Sequence, residues 1–395
     1  MDIFQKIDKL CGGGMVFGTE RTRALLDKLG SPDDRLKIVH IAGTNGKGSI
    51  ARYITEILIA AGKKVGTFTS PAVVDYFEQF AINGEPISKE VLSDYFTCAY
   101  EKGRDCTAFE VQTAGALYAF YKEGCQYAVV ECGLGGKTDS TNAIRKKELA
   151  VISSIGLEHT HILGDTIAKI CEQKAGIINN CPVVVNAYQP KEALEFFEKM
   201  GAVFADKRLE VLESSPYRQR FLYDGVEYSI CQAGKAQLYN AATAICAAKL
   251  LGLAVKDIQA GLKKANLPGR LQFIEAKGNT YIVDGAHNPA CFNELALTLK
   301  ELNAKDVTMI FGCLSDKDID ANLQAVKGLI SRVIAVKPTS QRAMDIEKIT
   351  TTCSKYFDTV AIDSVSRALE KSTGTVVVCG SFTLVKEALQ WIGKE

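Results

Sequence analysis

The sequence lacks the features that mark several large classes of protein. No uninterrupted apolar run approaches the ~18–20 residues that span a bilayer, so we expect no membrane partner. Lysine plus arginine (47) balance aspartate plus glutamate (46) to a net charge of +1, so we expect no nucleic-acid partner. The first residues, MDIFQKIDKLCGGG, carry charges where a signal peptide would be apolar.

The 13 cysteines include no CxxC pair, which argues against a zinc ribbon and against a thioredoxin-like redox motif. Their number is odd, and they are scattered from Cys11 to Cys379. In a chain of this length such cysteines are typical of reduced, mostly buried thiols. We therefore expect a cytoplasmic protein without disulfides.

The composition, 47% hydrophobic and 24% charged residues, is that of a globular protein. The 395 residues are enough for two or three domains. Short apolar runs alternate with longer amphipathic stretches, which predicts an α/β fold with a mostly parallel sheet. The predicted strands cover 36–42, 64–70, 126–132, 148–156, 182–186, 280–285, 307–312, 332–338 and 375–380. The predicted helices cover 47–62, 107–124, 234–252 and 255–265.

Two local features divide the chain. Alternating runs flank Asp224-Gly225, which predicts a β-hairpin over 218–232. The segment NLPGRLQ places proline and glycine between periodic stretches, as linkers do. We therefore predict a first domain over 1–265, a linker and hinge at 266–272, and a smaller α/β domain over 273–395.

The strongest motif follows the first predicted strand and opens the first predicted helix: Gly43-Thr44-Asn45-Gly46-Lys47-Gly48-Ser49. In this context glycines let backbone N–H groups approach phosphate oxygens, and the helix N-terminus adds positive potential. Lys47 would reach the β- and γ-phosphates, and a hydroxyl from Ser49 or Thr44 would support Mg²⁺. The spacing differs from GxxxxGK[ST], because Ile41 takes the first glycine position and Gly48 separates lysine from serine. The alternative is an ordinary glycine-rich turn.

Polar residues also follow other predicted strands. Glu131 ends the strand at 126–132 and precedes a glycine-rich loop, where a carboxylate facing the phosphate loop would suit Mg²⁺. A helix cap or a solvated strand end would have the same composition. His159 follows the strand at 148–156, where α/β ligand sites gather. We expect His40, inside a strand, in the core or directly behind the site residues, and His161 facing solvent or packed locally.

The loop HIAGTNGKGS resembles the phosphate loop of the Mur ligase superfamily, and most closely that of the folylpolyglutamate synthase/dihydrofolate synthase family. Further segments are similar to landmarks of that family, in the same order along most of the chain. They are TSPAVVDYFEQFAINGEPIS (69–88), ECGLGGKTDSTN (131–142), SIGLEHTHILGDTIAKICEQKAGI (154–177), LPGRLQ (267–272), DGAHNPA (284–290), FGCLSDKD (311–318) and KPTSQRA (337–343).

The resemblance implies a Mur-ligase-like ATP-binding domain over 1–265 and a C-terminal glutamate-ligase domain over 273–395. It implies a ligase that uses ATP to turn the carboxylate of a folate-type acid into an acyl phosphate, which L-glutamate then attacks. The acid would be dihydropteroate, a reduced folate or both. ATP and Mg²⁺ are the expected cofactors, with a monovalent cation as a further candidate. The expected form is a cytoplasmic monomer.

The resemblance also assigns roles to residues. The implied catalytic residues are Lys47, Lys174, Arg270 and His287, with Asn288 beside the last and Lys174 carbamylated by CO₂. The implied metal ligands are Ser49, Ser70, Glu131 and His159. The implied ATP contacts are Gly43, Thr44, Asn45, Gly46, Lys47, Gly48, Ser49, Asn240, Arg270 and Asp284. The implied contacts to the acid substrate are Phe109, Glu110, Asp139 and Ser140.

Several of these residues have ordinary alternatives that the sequence leaves open. Without the resemblance, Lys174 would be a surface lysine and Asn240 a surface amide. The segment around Asp284 and His287 is also common turn chemistry. Arg270 lies in the predicted linker, from which a guanidinium would be able to clamp a transferring phosphoryl group.

The chain departs from the family pattern at five positions: Ala72, Phe77, Gln79, Lys137 and Glu158. Ala72 replaces a histidine and Gln79 an arginine in the segment that the acid substrate approaches, so they bear on the identity of that acid. Lys137 and Glu158 keep the charge of the arginine and aspartate they replace, although lysine lacks arginine's paired donors. Two other functions stay open: a Mur-type ligase for a non-folate acid, and a nucleotide-binding regulator without catalysis.

Overall fold

Strands and helices alternate along most of the chain in the computed structural model, which describes residues 2–10, 16–205 and 209–393. These residues divide into two compact units. The first comprises the described residues up to Leu212, Arg220–Ile230 and Leu238–Ala265. The second comprises Glu213–Gln219, Cys231–Gln237 and the described residues from Asn266 onward. The domain bounds predicted from the sequence stay a prediction.

An eight-stranded sheet forms the centre of the first unit. Its strands are β1 (Lys37–Ala42), β2 (Val65–Phe68), β3 (Phe80–Ile82), β4 (Glu85–Pro86), β5 (Tyr127–Glu131), β6 (Leu149–Ile152), β7 (Val183–Val185) and β8 (Val203–Phe204). They lie in the order β4-β3-β2-β5-β1-β6-β7-β8. The six strands β2, β5, β1, β6, β7 and β8 pair in parallel. The short strands β3 and β4 are antiparallel to their neighbours. The apolar residues of β1, β5, β6 and β7 are buried, as expected for a sheet covered on both faces.

Ten helices lie along the described residues of the same part of the chain. They are α1 (Ile3–Asp8), α2 (Glu20–Lys28), α3 (Lys47–Ala60), α4 (Lys89–Lys102), α5 (Ala108–Lys122), α6 (Thr160–Leu163), α7 (Ile167–Ala175), α8 (Lys191–Glu198), α9 (Lys235–Leu250) and α10 (Val255–Lys264). Short 3-10 turns cover Pro32–Arg35, Tyr76–Gln79 and Ser140–Ala143. Helix α3 buries Ile50, Ile54 and Ile57, whose spacing places them on one helix face. Helix α5 is capped by Thr107, whose side chain accepts a hydrogen bond from Glu110 N.

The predicted hairpin is confirmed. Strands β9 (Leu209–Ser214), β10 (Gln219–Tyr223) and β11 (Val226–Ile230) form a sheet in the order β11-β10-β9. Asp224 and Gly225 join β10 to β11 with φ angles of 56° and 72°. Positive φ at both positions is what a two-residue type I′ turn requires, which explains the Asp-Gly pair.

A six-stranded sheet forms the centre of the second unit. Its strands are β12 (Gln272–Ala276), β13 (Asn279–Val283), β14 (Thr308–Phe311), β15 (Arg332–Ala335), β16 (Asp358–Ala361) and β17 (Thr375–Cys379), in the order β12-β13-β17-β14-β15-β16. Only β12 is antiparallel to its neighbour. Its helices are α11 (Pro289–Glu301), α12 (Ile319–Ala325), α13 (Ile346–Cys353), α14 (Val365–Glu370) and α15 (Phe382–Ile392). The mostly parallel α/β architecture predicted from the sequence is therefore confirmed.

The described cysteines agree with the expectation of buried thiols. None of them forms a disulfide, and eight are buried: Cys106, Cys125, Cys132, Cys171, Cys246, Cys313, Cys353 and Cys379. Cys11 lies outside the described residues. None of the helices in the described ranges is both long and apolar enough to cross a membrane.

Candidate active site

The candidate site of the first unit lies at the carboxyl ends of its parallel strands, where open α/β sheets bind ligands. The phosphate loop leaves β1 here, and Glu131 ends the neighbouring β5 opposite Ile41 of β1. Ser70 follows β2 on the other side of β5, and its backbone N–H donates to Glu131 Oε2 at 3.4 Å. Adjacent strands therefore bring together residues that are far apart in sequence.

Two glycines give the phosphate loop its path. Gly43 has a φ of 145°, and a Cβ there would lie 1.9 Å from Ser153 Oγ. Gly46 has a φ of 89°, and a Cβ there would lie 2.6 Å from Asn240 Oδ1. Other side chains would therefore clash or be strained at both positions. The N–H groups of Thr44 and Asn45 both donate to Ser154 O, at 2.8 and 3.1 Å, which ties the loop to the segment after β6.

Lys47 and Glu131 are the charged pair of this loop. The ammonium of Lys47, at the first position of α3, lies 3.8 Å from Glu131 Oε1 and donates to Thr44 O at 3.2 Å. The Glu131 side chain is only 6% exposed, and that of Lys47 is 17% exposed. The structure therefore brings together two residues that were predicted from the sequence to act on the same ligand.

The oxygen atoms at this site suit a hard cation. Glu131 supplies a buried carboxylate, Ser49 in the first turn of α3 is buried, and Ser70 is half-buried. No group of three or more His, Cys, Asp and Glu side chains within the described ranges is arranged to hold a metal ion. Mg²⁺ does not need such a group, because it is commonly held by one or two carboxylates together with phosphates and water. The residues present therefore fit Mg²⁺ bound together with a nucleotide.

Lys174 is buried in the last turn of α7, so the alternative of a surface lysine is wrong. Its side chain is 4% exposed, and its ammonium donates to Gly43 O at 2.7 Å. Burial, with a smaller contribution from the charge of Lys47, lowers the pKa of Lys174 to about 7. A large share of its amine is therefore neutral near neutral pH, beside the first residue of the phosphate loop.

The histidines of the first unit differ in their surroundings. His159 is the N-cap of α6 and has a left-handed φ of 50°, and its Nε2 lies 4.0 Å from Glu158 Oε1. His40 is fully buried in β1, as predicted, and burial lowers its pKa well below the ordinary value. His161 is exposed, which confirms the expectation that it faces solvent.

Asn240 is buried at 4% exposure in α9, so the alternative of a surface amide is wrong. Its Oδ1 accepts a hydrogen bond from Asn186 Nδ2 at 3.0 Å, and Asn186 directly follows β7. The Asn240 amide lies beside Gly46 of the phosphate loop. Asn186 was missed in the sequence, where the only available signal was its position at the end of a predicted strand.

Two of the four predicted acid-substrate contacts begin α5. Phe109 is half-buried and packs against Phe68, with ring centroids 5.8 Å apart. Glu110 is buried, and both of its carboxylate oxygens accept hydrogen bonds from Arg21, at 2.9–3.2 Å. Glu110 also accepts from Thr107 N at 2.6 Å, which completes the capping box. Arg21 was missed in the sequence, because nothing local links it to a residue 89 positions away.

The other two predicted contacts, Asp139 and Ser140, are both buried after the glycine-rich loop that follows β5. Asp139 accepts from Leu134 N at 2.8 Å and from Thr141 N at 3.0 Å, and it caps the 3-10 turn. Burial raises the pKa of Asp139, and these hydrogen bonds oppose that rise. The carboxylate therefore organises its own loop.

The second unit has its own cluster at the carboxyl end of β13. The guanidinium of Arg270 lies over the ring of Phe382, 4.4 Å from its centroid. Burial raises the pKa of Asp284 to about 6, while the charge of Arg270 opposes the rise. Asp284 Oδ2 accepts from Leu271 N at 2.9 Å. His287 Nδ1 lies 2.8 Å from Gly285 O, and its ring centroid lies 5.9 Å from that of Phe382. Phe382 was missed in the sequence.

Asn288 caps α11 through a hydrogen bond from Cys291 N at 3.0 Å. Asn288 is buried and directly follows His287, so the start of this helix lies next to the turn that carries His287.

The positions that depart from the family pattern have local partners. Gln79 is buried and donates to Tyr76 O at 3.1 Å. Phe77 packs edge-on against Phe4, with ring centroids 5.0 Å apart. Ala72 is half-buried, Glu158 is half-buried and Lys137 is exposed. The Gln79 amide therefore stabilises its own turn rather than supplying a charge.

Comparison with known proteins gives consistent matches. The Mur ligase middle domain matches residues 41–248, and the Mur ligase glutamate ligase domain matches residues 269–382. The dihydrofolate synthase/folylpolyglutamate synthase of Bacillus subtilis (strain 168) is 30% identical over 412 residues, which cover 95% of this chain and 94% of that protein.

Two solved structures are similar over nearly the whole chain. E. coli FolC in complex with DHPP and ADP is 28% identical, with a TM-score of 0.86 over 98% of this chain and 96% of that one. The bifunctional folylpolyglutamate synthase/dihydrofolate synthase from Yersinia pestis CO92, complexed with AMPPNP and a Mn ion, is 27% identical. Its TM-score is 0.85 over 98% of this chain and 96% of that one.

Proposed function

This chain belongs to the folylpolyglutamate synthase/dihydrofolate synthase family of Mur ligases, and on that premise we propose that it is an ATP-dependent ligase joining L-glutamate to the carboxylate of a folate-type acid. The acid is dihydropteroate, a reduced folate or both. We also propose that the protein acts as a monomer in the cytoplasm, and the thiols of the described chain are in keeping with a reducing compartment.

One observation carries the proposal: a lysine and a buried carboxylate converge on a glycine-rich strand-to-helix loop. Lys47 lies 3.8 Å from Glu131 at the carboxyl ends of β1 and β5. A phosphate group at this loop would meet the N-terminus of α3 and the Lys47 ammonium together. That arrangement is suited to nucleotide phosphates.

The chemistry proceeds in two steps. The γ-phosphoryl group of ATP passes to the substrate carboxylate, which gives an acyl phosphate and ADP. The glutamate amine then attacks the acyl carbon, phosphate leaves with the electrons of the broken C–O bond, and the amine loses a proton. Lys47 offsets the negative charge that develops on the transferring phosphoryl group, while binding supplies the orientation.

Glu131, Ser49 and Ser70 are the proposed oxygen ligands of Mg²⁺, with His159 as a further ligand. Mg²⁺, when bound, neutralises charge on the nucleotide phosphates. Imidazole is an unusual ligand for this hard cation, so the proposed role of His159 depends on the family resemblance. The carboxylate of Glu131 serves without the metal as well, because it holds the Lys47 ammonium at the loop.

Lys174 is proposed to react with CO₂. The neutral amine would attack the carbon of CO₂, form a carbamate and release one proton. A pKa of about 7 supports this step, because an amine must be neutral to act as a nucleophile. The resulting anion beside Gly43 would place negative charge near Lys47, which is the largest charged contributor to the Lys174 shift.

Arg270, Asp284 and His287 are proposed to act from the second unit. The guanidinium of Arg270 lies over the ring of Phe382, and its paired N–H donors suit the binding of an anion such as phosphate. Asp284 is the proposed nucleotide contact, and His287 is proposed to contact the reacting groups. The linker at 266–272 is the proposed hinge.

A substrate panel tests the function. The purified protein is incubated with ATP, Mg²⁺ and labelled glutamate, together with dihydropteroate, a tetrahydrofolate or a non-pterin peptide precursor. We expect label in the first or second acid and matched release of phosphate. Label in the non-pterin acid alone would replace the folate substrate by another Mur-type acid. Nucleotide binding without turnover of any acid would favour the regulator.

A further inference from the structure

A buried polar chain connects the central strand of the first unit to the loop after β5. His40 Nε2 lies 2.8 Å from Thr141 Oγ1, and the Thr141 hydroxyl donates to Asp139 Oδ1 at 2.5 Å. Cys132 Sγ lies 3.1 Å from the same His40 nitrogen. His40 and Thr141 are fully buried, and Asp139 is 6% exposed. Nothing in the proposed chemistry uses His40 or Thr141.

The direction of each hydrogen bond in this network follows from Asp139, the acceptor at its end. Asp139 accepts from two backbone N–H groups, and its Oδ1 lies 2.5 Å from the Thr141 hydroxyl, so the single hydroxyl proton of Thr141 points to Asp139. Thr141 Oγ1 is then free to accept, and His40 Nε2 must carry the proton that it donates. His40 is neutral, because burial lowers its pKa well below the ordinary value. Its Nδ1 is buried and has no hydrogen-bond partner among the residues that the structure describes.

Asp139 is the last residue of this hydrogen-bond network, and it also holds the loop after β5 together. Its Oδ2 accepts from Leu134 N and its Oδ1 from Thr141 N, so one carboxylate closes the loop from both sides. The loop begins directly after Glu131, whose carboxylate faces Lys47. A movement of Asp139 would therefore shift the residues that follow the proposed nucleotide site.

We propose that His40 is a positioning residue that, through Thr141, holds Asp139 and the glycine loop 133–136 in the conformation that binds the acid substrate. The inference depends on the proposed function for the identity of that acid, but not for the existence of the network. It also assigns Asp139 a role through the loop it holds.

A purely structural account explains this network poorly. Burying polar groups costs free energy unless each is hydrogen-bonded, and His40 leaves one nitrogen without a partner. Apolar residues of similar size would fill the same space without that cost. Polar groups are better suited to fixing the orientation of the Asp139 carboxylate, because hydrogen bonds are directional and packing contacts are not.

The first test removes the hydroxyl without changing the shape. Thr141→Val should raise the KM for the acid that the wild-type protein uses, dihydropteroate or a tetrahydrofolate, about 10-fold or more, because the carboxylate that closes the loop loses its hydroxyl donor. The KM for ATP should change less than about 3-fold. Thr141→Ser keeps the hydroxyl and should restore the wild-type KM. Thr352→Val is the matched control, since Thr352 is a buried threonine of α13 whose hydroxyl donates to Lys348 O.

The pattern of effects decides the matter. A wild-type KM in Thr141→Val, equal changes in both KM values, or no rescue by serine would each overturn the proposal. If the wild-type protein joins glutamate to neither dihydropteroate nor a tetrahydrofolate, the proposed function fails, and the network is judged by the following measurement alone.

The second test needs neither activity nor a variant. In amide hydrogen exchange of the wild-type chain, the N–H groups of Leu134 and Thr141 should be protected as strongly as those of β5, although neither residue belongs to a strand or an α-helix. Exchange of both amides at the rate of an unstructured peptide would overturn the proposal, because the loop would then not be held.

Discussion

Two lysines beside the phosphate loop face different groups. The ammonium of Lys47 faces the Glu131 carboxylate and remains partly exposed, whereas that of Lys174 is buried against a backbone carbonyl. Lys47 is charged and accessible to a ligand, so it is suited to phosphate binding. Burial and a depressed pKa suit Lys174 for a reaction of the neutral amine. The same residue type therefore has two proposed uses.

Replacing Lys47 by alanine should remove catalysis and leave the fold intact. Glutamate-dependent consumption of ATP should fall by at least ~10³-fold, because the charge on the transferring phosphoryl group would lose its nearest cation. The free energy of unfolding should change by less than about 1 kcal/mol, as for other residues outside the core. Lys146→Ala, at an exposed lysine, is the control and should retain full turnover. Near-normal turnover in Lys47→Ala would contradict the assignment.

Lys174 should make stability depend on pH. Its pKa is about 7 in the folded protein and ordinarily 10.5, so between these values the unfolded chain binds more protons. The free energy of unfolding should therefore rise as the pH increases through this window. Lys174→Met should lose that part of the rise, measured by urea unfolding at about pH 7 and about pH 9 in CO₂-free buffer. An equal pH slope in both proteins would contradict the lowered pKa, and Lys146→Met should keep the wild-type slope.

At the scale of elements, the start of α5 depends on one side chain. Thr107 accepts from Glu110 N, and Glu110 accepts from Thr107 N, so two otherwise unsatisfied helix donors are paired. Thr107→Ala should lower the free energy of unfolding by about 1 kcal/mol in urea. Thr351→Ala, in the exposed middle of α13, is the control and should be neutral or slightly stabilising. An unchanged stability of Thr107→Ala would show that the cap is not needed.

The sequence predicts the elements whose signals are local. Continuous apolar runs predict β1, β5, β6 and β7, and the Asp224-Gly225 turn predicts the hairpin, because each depends on neighbouring residues. The short antiparallel β3 and β4 and the antiparallel edge strand β12 were not predicted. Their pairing depends on residues brought together by the fold, and their few residues carry weak periodicity.

The residues of the candidate site also differ in whether their signals are local in the sequence. The phosphate loop and Glu131 could be found from motif and position, because strand ends and glycine spacing are visible in the sequence. Asn186, Thr141 and Arg21 could not, since their partners lie 54, 101 and 89 residues away. The burial of Lys174 was equally invisible, because a lysine near a helix end is usually exposed.

For the whole molecule, nucleotide binding should appear as added stability. A ligand that binds only the folded state at about 100 times its Kd adds about 2.7 kcal/mol. AMPPNP with Mg²⁺ should therefore raise the Tm of the full chain by about 2–4 °C in a thermal scan. Lys47→Ala should show a smaller shift, and L-glutamate without nucleotide serves as the comparison. Equal Tm values with and without millimolar AMPPNP would contradict a nucleotide site.

The path of the chain between the two compact units has a consequence for the exchange of gene segments by recombination. The chain changes unit after Leu212, Gln219, Ile230, Gln237 and Ala265. No single break in the coding sequence therefore separates the units. A recombination that exchanged everything from Asn266 onward would leave Glu213–Gln219 and Cys231–Gln237 behind with the old gene. Those two segments would have to pack with the newly acquired C-terminal part, because they belong to the same compact unit.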